Sequence, residues 1–357
     1  MGAPYDVIIA GASFAGLAVA RHVRGRVLLL DHQPIGEGVT SACAAPVRTV
    51  AAMGASASIL EVHEDIVIHT PGGSVRWPLP EPFCTFDYRR FCLDAMAGVD
   101  TEFHLASVRG HRGHRVESSA GEFTGRLLVD ATGPRAALAG PARPRYAAFG
   151  LESEIPQQVV PGLHFHFVPE VRDGYAWAFP CGGGTRFGVI SYRGRTKLLP
   201  ALRRFMERFA ARPGDIHGGF LATGWPAGVA GGVFAVGDAA GQCLPFSGEG
   251  IRTAVLAGAR CGMLLRQVLD GVISEERAQA AYRAFVTADR RRYRGLLGAN
   301  VLLLGLPQRW LGWAARRITR PVLRRWFFAH YLGIFDSPTV GHVGEPSVDS
   351  RRTYEEQ

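Results

Sequence analysis

Near its amino terminus the sequence passes from an apolar run into a glycine turn and then into a run of small residues. The apolar run, residues 5–10, contains adjacent β-branched side chains, and residues 17–23 predict a helix. In such a turn the first glycine allows a tight bend, a small middle residue lets a pyrophosphate approach the backbone, and the last glycine lets the helix pack on the strand. Ser13 replaces the middle glycine of that pattern. The residues predicted to hold a dinucleotide here are Gly11, Ser13, Phe14, Ala15 and Gly16.

A second apolar run supports this prediction, because it ends in an acid at the expected distance. Residues 27–30 are followed by Asp31, which lies 20 positions after Gly11. A carboxylate at the end of the second strand accepts hydrogen bonds from the hydroxyls of an adenosine ribose. We therefore include Asp31 and its neighbour His32 in the predicted nucleotide site. The alternative, a glycine-rich helix cap with no ligand, leaves Asp31 unexplained.

Three further segments far along the chain carry glycine turns next to apolar runs. Residues 127–133 and 231–241 each predict a buried strand that ends in an acid and a glycine turn, and residues 245–251 open a helix that should run to about Leu265. A helix N-terminus carries about half a positive charge, which stabilises the anion on a reduced flavin ring. Segments that lie far apart in the sequence but contact the same nucleotide favour FAD over NAD as the tightly held cofactor. The residues predicted to contact it are Asp130, Gly133, Gly237, Asp238, Pro245, Gly248, Glu249, Gly250 and Ile251.

Two of the charged residues in or near these segments have more than one interpretation. Glu249 precedes a helix, so we interpret it as a capping residue rather than a catalytic one. Arg90 lies in a predicted helix that begins at Tyr88, where its guanidinium could reach the pyrophosphate. An exposed helix face explains Arg90 equally well, since surface arginines are common.

With these residues the chain resembles the geranylgeranyl reductase family of p-hydroxybenzoate-hydroxylase-like flavoproteins, over about residues 4–270. The family-specific element is Gly174–Pro180, which is similar to a Y-x-W-x-F-P motif that lines a lipid cavity beside the flavin. Ile190 stands where the family usually has the second glycine of a G-x-G element, and Cys43 is similar to a family cysteine close to the isoalloxazine. The resemblance implies an α/β fold, in which a glutathione-reductase-type FAD-binding Rossmann domain is interleaved with an antiparallel β-sheet domain. In that type of flavoprotein, the acid that corresponds to Asp238 hydrogen-bonds a ribityl hydroxyl of FAD.

The aromatic motif also carries information without the resemblance. Tyr175, Trp177 and Phe179 alternate with small residues, so their side chains share one face of a strand. Such a stripe is either core packing or the wall of an apolar pocket suited to a hydrophobic alkene. Together with the family resemblance, which adds Pro180 and Cys43, the predicted substrate-binding residues are Tyr175, Trp177, Phe179 and Pro180, and the predicted catalytic residues are Cys43 and Tyr175. The candidate proton donors are Cys43, Tyr175 or a water held near residues 245–248.

The spacing of these segments predicts a discontinuous FAD-binding domain made of residues 1–50, 85–150 and 225–270. Residues 51–84 and 151–224 then form the substrate domain, with a hairpin over residues 66–77. Residues 271–335 predict C-terminal helices, and residues 336–357 a polar tail. The helices combine tryptophans with arginines, which predicts either attachment to a membrane surface or a helical cap over the substrate domain.

Composition restricts the partners and the location. The net charge of +9 comes from scattered basic residues, which argues against nucleic acid and fits a flavin pyrophosphate, a nicotinamide phosphate or an anionic membrane. The six cysteines form no C-x-x-C pair, so we expect a reduced, cytoplasmic protein, with peripheral membrane attachment left open. The sequence contains neither a secretory signal nor an apolar run long enough for a transmembrane helix, and no residues that predict a metal site.

Three functions fit these features. The first is reduction of C=C double bonds in a prenyl, polyene or secondary-metabolite substrate by hydride transfer from reduced FAD, with NAD(P)H or another reductant as electron donor. The second is FAD-dependent monooxygenation. Halogenation is less favoured, because halogenases of this fold resemble one another in a W-x-W-x-I-P element and an N-terminal lysine, whereas Lys197 is the only lysine here. The third is a flavin-bearing electron-transfer subunit, against which the aromatic motif argues.

Overall fold

The computed structural model describes residues 3–140, 145–224, 228–306 and 308–336, and only the backbone of residues 145–147, 308 and 309. Two eight-stranded sheets organise the fold. Six strands of the first sheet lie side by side and are parallel except at one edge, as expected for an α/β nucleotide-binding domain, and the other two form an antiparallel extension. The six strands, in spatial order, are β15 (Val229–Ala230), β16 (Val233–Ala235), β9 (Gly121–Asp130), β1 (Tyr5–Ala10), β2 (Val27–Asp31) and β6 (Glu102–Leu105).

The central strand of this sheet is apolar at consecutive positions because both of its faces are covered. On one face lie α1 (Phe14–His22) and α5 (Ile251–Leu269), whose axes approach closely. A Cβ at Gly258 would lie 2.5 Å from the Ala15 carbonyl oxygen, so α5 can pack on α1 only with glycine there. The other face is covered by β7 (Val108–Arg112) and β8 (Arg115–Ser118). These two strands form an antiparallel hairpin, and β8 also pairs antiparallel with the first part of β9.

The second sheet is antiparallel throughout except where β11 lies parallel to β4. One face looks towards the first sheet. The opposite face is covered by α4 (Leu198–Glu207), whose Leu202 and Phe205 pack against buried residues of β12 and β13. The strands, in spatial order, are β14 (Ile216–Gly224), β10 (Arg145–Ile155), β13 (Thr185–Ser191), β12 (Gly174–Pro180), β11 (Leu163–His166), β4 (Ile59–Thr70), β5 (Gly73–Phe86) and β3 (Ala44–Pro46).

The structure confirms the predicted fold class and the hairpin, which is formed by β4 and β5. The chain enters the second sheet earlier than the predicted domain limits, because β3 pairs with β5 and β10 starts at residue 145. The sequence gives no sign of this, since β3 is three residues long and contains a proline. The short helix α2 (Val47–Ala52) follows it, and α3 (Tyr88–Met96) begins just after β5.

The periodicity of residues 271–335 predicts helices, and four follow α5 up to residue 336, where the described part of the chain ends. They are α6 (Glu275–Ala288), α7 (Arg290–Gly305), α8 (Gln308–Ile318) and α9 (Pro321–Leu332). Fully buried Arg252 fixes the end of α9 to the start of α5, by donating to the carbonyls of Tyr331, Leu332 and Ile334 at 2.8–3.1 Å. None of the helices in the described residues is both long enough and apolar enough to cross a membrane.

Candidate functional site

A cavity of about 630 Å³ lies between the two sheets. At one end it is lined by the turns that follow β1, β2, β9 and β16 and by the start of α5. At the other end it is lined by aromatic and aliphatic side chains of the second sheet and of α7, α8 and α9. Its volume is within the ordinary range for small-molecule sites. One continuous space therefore joins the predicted nucleotide turns to the predicted aromatic wall.

The first glycine turn has the backbone that the sequence predicts. Gly11 adopts φ +108°, a conformation that residues with a side chain rarely adopt. A Cβ at Gly16 would lie 1.8 Å from the Gly11 carbonyl oxygen, so Gly16 shapes the turn by packing and does not line the cavity itself. Ser13, Phe14 and Ala15 do line it. The Ser13 hydroxyl accepts a hydrogen bond from the hydroxyl of Tyr88 at 3.0 Å, a contact that a glycine could not make.

Asp31 lies at the end of β2 and lines the same end of the cavity, together with His32. Its carboxylate accepts hydrogen bonds from the amides of Ala12 at 2.7 Å and Gln33 at 3.0 Å. The Nδ1 atom of His32 lies 2.9 Å from the same carboxylate. These contacts hold the acid beside the first turn, where the sequence places a ribose.

The turn after β16 brings a second acid to the cavity. Gly237 adopts φ +63° and its amide donates to the Gln242 side chain at 2.7 Å. Asp238 lines the cavity and accepts from the amide of Ala222 on β14 at 3.0 Å. Asp238 therefore also connects the first sheet to the second, a role that its position in the sequence does not predict.

The start of α5 faces the cavity with the residues that the sequence predicts. Gly248, Glu249, Gly250 and Ile251 line it, whereas Pro245 does not. The Pro245 carbonyl instead accepts a hydrogen bond from the Asn300 side chain. Glu249 accepts from the amide of Arg252 at 3.1 Å, as the capping interpretation requires, and its second oxygen accepts from the Arg252 guanidinium at 3.0 Å.

The position of Asp130 differs from the prediction. Its carboxylate is fully buried, does not line the cavity and accepts four hydrogen bonds at 2.7–3.0 Å. The donors are the amide and hydroxyl of Thr132 and the amides of Leu138 and Ala139. All four lie in the turn that follows β9, so Asp130 shapes this turn from inside, and Gly133 presents the turn to the cavity.

Arg90 and Pro180 also lie outside the cavity, for reasons of periodicity. The Arg90 guanidinium pairs with Asp94 one helical turn later at 2.8 Å and is exposed, while Tyr88, two residues earlier, faces the cavity. The exposed-face interpretation of Arg90 therefore fits the structure. Pro180 is buried at the end of β12, but alternation turns it away from the face that carries Phe179.

Tyr175, Trp177 and Phe179 form one aromatic wall of the cavity together with Phe165 of β11. The Trp177 indole donates to buried Glu152 on β10 at 2.9 Å. A Cβ at Gly188 would lie 1.9 Å from the Trp177 ring, which explains the glycine at that position. Ile190, which occupies the place of the second family glycine, extends an aliphatic side chain into the cavity.

Both predicted catalytic residues line the cavity. Cys43 is fully buried with φ +50°, and its thiol donates to the Ser41 carbonyl at 3.2 Å. Burial raises the pKa of the Cys43 thiol to about 12. Burial also raises the pKa of Tyr175 above its usual range, and its hydroxyl donates to the Ser247 carbonyl. Both groups therefore carry their protons at neutral pH.

Several cavity residues were not predicted. Tyr88 and Glu152 contact predicted residues, but the sequence gives no spacing that relates the partners. Asn300 and Tyr331 come from the C-terminal helices, and the Tyr331 hydroxyl lies 2.6 Å from that of Ser247. The only sequence signal for these two was the apolar periodicity of their helices. Other unpredicted lining residues are Ile66, Ile68, Trp77, Tyr192, Leu303, Leu311, Ala315 and Phe327.

No protein-family model and no curated protein sequence matches the chain, but solved structures do. A geranylgeranyl bacteriochlorophyll reductase-like protein from Thermoplasma acidophilum superimposes with a TM-score of 0.78 at 18% identity, covering 93% of this chain and 97% of that chain. A flavin-dependent brominase superimposes with a TM-score of 0.65 at 18% identity, covering 94% and 95%. The chain has the same fold as these two proteins. The same fold occurs in p-nitrophenol 4-monooxygenase from Pseudomonas putida, with a TM-score of 0.72, 14% identity and coverage of 94% and 99%.

Proposed function

We propose that the protein is an FAD-dependent reductase that saturates C=C double bonds of a hydrophobic substrate. The observation that carries the proposal is the single cavity that joins nucleotide-type turns to an aromatic and aliphatic chamber. The fold shared with a reductase-like protein supports it. An electron-transfer subunit binds a flavin but no organic substrate, so it would not need the aromatic and aliphatic chamber beside the flavin.

The residues at the polar end fit FAD. The turn at Gly11 and the N-terminus of α1 offer backbone amides and a positive dipole to a pyrophosphate, and Asp31 offers a carboxylate to a ribose. Asp238 and the start of α5 line the same end of the cavity, where they would hold the ribityl chain and the ring. Bound FAD supplies hydride chemistry at its ring, and the protein supplies position and protons.

The chamber can position an alkene and keep water away from it. An isolated alkene accepts hydride poorly, so the protein must hold it in a reactive orientation. Trp177 and Phe179 are buried and offer flat apolar surfaces for this contact. Cys43 and Tyr175 line the cavity and carry their protons at neutral pH, so each is a candidate donor to the carbon that does not receive hydride. Strain of the kind seen at Cys43, with φ +50°, concentrates at functional sites.

Anaerobic reoxidation of the reduced holoprotein tests the proposal. The FAD-loaded protein is reduced with dithionite, mixed with a polyprenyl alcohol and followed by the return of flavin absorbance. We expect reoxidation and a product that gains two hydrogen atoms per double bond. Reoxidation only by oxygen, with an oxygenated product, would instead establish a monooxygenase, the function of the structurally similar p-nitrophenol 4-monooxygenase. A halogenated product is not expected, because Lys197 immediately precedes α4 and does not line the cavity.

Shortening Ile190 should widen the substrate chamber. Ile190 is buried, lines the cavity and lies close to Gly248. In Ile190→Ala we expect KM for a bulky prenyl substrate to fall roughly tenfold relative to KM for a short one, because one or two methylene groups in a pocket change binding by about 1–3 kcal/mol. Val189→Ala is the matched control, since Val189 packs on the opposite face of β13. An equal change of the KM ratio in both variants would refute the assignment.

We further propose that α8 and α9 attach the protein to an anionic membrane from which the substrate enters. One face of α8 lines the cavity, with Leu311 and Ala315. The other face exposes half of Trp313, over whose ring the guanidinium of Arg317 lies at 4.8 Å. On α9, Trp326 is 61% exposed and directly follows Arg324 and Arg325. Exposed indoles beside arginines match the chemistry of a membrane interface with anionic lipids.

Vesicle binding tests this attachment. We expect the protein to sediment with phosphatidylglycerol vesicles at least about tenfold more strongly than with phosphatidylcholine vesicles, since each arginine near an anionic surface contributes about 1 kcal/mol. The double variant Trp313→Glu with Trp326→Glu should lose most of that binding. Leu105→Glu is the control, because Leu105 is equally exposed but lies on the first sheet. Equal binding by all three proteins would exclude α8 and α9 as the attachment site.

A further inference from the structure

Three histidines form a cluster on the face of the second sheet that points away from the cavity. His164 and His166 lie on β11, two positions apart, and flank Phe165, whose ring lines the cavity. His69 lies on β4, paired with His166. One ring nitrogen from each histidine lies within 4.8 Å of the other two. None of these residues belongs to the flavin or substrate site.

The contacts around two of the rings bring one nitrogen of each ring face to face, joined by a hydrogen bond. The Nε2 atom of His164 lies 2.9 Å from the Pro161 carbonyl, which only accepts, so Nε2 carries the proton and Nδ1 is bare. That bare Nδ1 accepts a hydrogen bond from Nε2 of His69 at 3.0 Å, and a metal ion would take the place of the shared proton. The other nitrogen of His69 lies 2.7 Å from the Ser74 hydroxyl. Outer partners of this kind fix the tautomer and orientation of metal-binding histidines.

The third ring supplies an independent observation. Nε2 of His166 is buried and has no hydrogen-bond partner in the described part of the chain. A buried polar atom without a partner costs about 1–3 kcal/mol, so such an atom calls for an explanation. The ring stacks on His69, with centroids 4.1 Å apart, and contacts Phe205 of α4 edge-on. A metal ion between the three rings would give this nitrogen a partner.

We propose that His69, His164 and His166 bind a zinc ion. Neutral imidazole is a preferred zinc ligand, and three histidines leave the fourth position of a tetrahedral site for water. Zinc–nitrogen bonds of about 2.0–2.1 Å place ligand nitrogens about 3.3 Å apart. The His69–His164 pair is already near that spacing, and the third nitrogen reaches it by a side-chain shift of at most about 1.5 Å.

The site would be structural, because the second sheet separates it from the flavin end of the cavity. It would join β11 to the β4–β5 hairpin beside its turn. The Arg316 guanidinium of α8 donates to the Gly72 carbonyl in that turn at 3.0 Å. Since α8 lines the substrate chamber, the ion would also support the wall that α8 provides. The proposal does not depend on the proposed enzymatic function.

Metal titration of the full chain tests the site directly. The protein is prepared without a polyhistidine tag, stripped with a chelator and titrated with Zn²⁺, and separately with Co²⁺ as a spectroscopic probe. We expect one Zn²⁺ per chain, with micromolar or tighter affinity on the order of 8 kcal/mol. Co²⁺ should give the visible absorption bands of a tetrahedral site. Zn²⁺ should also raise the midpoint of thermal unfolding.

Variants separate this site from other histidines. His69→Gln, His164→Gln and His166→Gln should each weaken Zn²⁺ binding at least tenfold. His69 lies next to the turn of the β4–β5 hairpin, so we expect His69→Gln to disturb the fold least. His111→Gln on β7 is the control and should bind as the unaltered chain does. Failure of the unaltered chain to bind stoichiometric Zn²⁺, or unchanged affinity in the three cluster variants, would overturn the proposal.

Discussion

Replacing Arg252 by methionine is expected to lower the free energy of unfolding by about 3–5 kcal/mol, the usual cost of removing one partner of a buried ion pair. The guanidinium is fully buried, pairs with Glu249 and satisfies the carbonyls of Tyr331, Leu332 and Ile334. Methionine fills similar space but leaves these acceptors without donors. The end of α9 should therefore separate from α5, and the substrate chamber should lose the wall that Tyr331 provides. Urea unfolding measures the free energy, and limited proteolysis after α8 reports the separation.

The matched control lies on the same helix. Arg266 is half exposed and lies 3.5 Å from Asp270, an arrangement that contributes little to stability. Arg266→Met should therefore change the free energy of unfolding by less than about 0.5 kcal/mol. If the two variants were equally stable, Arg252 would not connect the C-terminal helices to the flavin end of the cavity.

Replacing Gly16 by alanine should weaken FAD binding roughly 100-fold, or by about 2.7 kcal/mol. The new Cβ would lie 1.8 Å from the Gly11 carbonyl oxygen, which is backbone and cannot move without moving the turn. The turn, or the N-terminus of α1, must then shift away from the position that a pyrophosphate requires. Overpacking of this kind also costs about 1–3 kcal/mol in stability. Titration followed by flavin fluorescence measures the affinity.

Gly298→Ala on α7 is the control for this change. Gly298 is also a helical glycine, but nothing lies within 4 Å of the Cβ position. That substitution should leave FAD affinity unchanged and stabilise the helix by about 0.5–1 kcal/mol. Equal FAD affinity in the two glycine variants would show that the packing of α1 on the first turn does not shape the cofactor site.

Local spacing was enough to predict the backbone of the first glycine turn, the place of Asp31 at the cavity and the shared aromatic face of β12. In each case the position of the side chain depends on neighbours within one strand–turn–helix unit or one strand, whose period fixes where side chains point. Asp130 shows the limit of this reasoning. The sequence places an acid at the end of a strand, but the fold of residues 131–139 decides that its carboxylate points into the turn and away from the cavity.

Contacts between distant segments could not be predicted from one sequence. Arg252 bonds to carbonyls about 80 positions later, and Tyr88 bonds to Ser13 across 75 positions. Neither pair carries a spacing that relates its members. The three-histidine cluster is similar, since His69 and His164 meet only because β4 and β11 are neighbours in the sheet. The early start of the second sheet at Ala44 was missed because three residues are too few to show a period.

Titration of the purified, flavin-free chain with FAD is the most direct test of the central claim, that separated turns build one FAD site beside an apolar chamber. We predict one FAD per chain at a dissociation constant of roughly 1 µM or lower. Flavin fluorescence should be quenched, and the Gly16→Ala variant should require far more FAD. A chain that stays colourless after gel filtration with excess FAD, without any change in flavin fluorescence, would contradict the account.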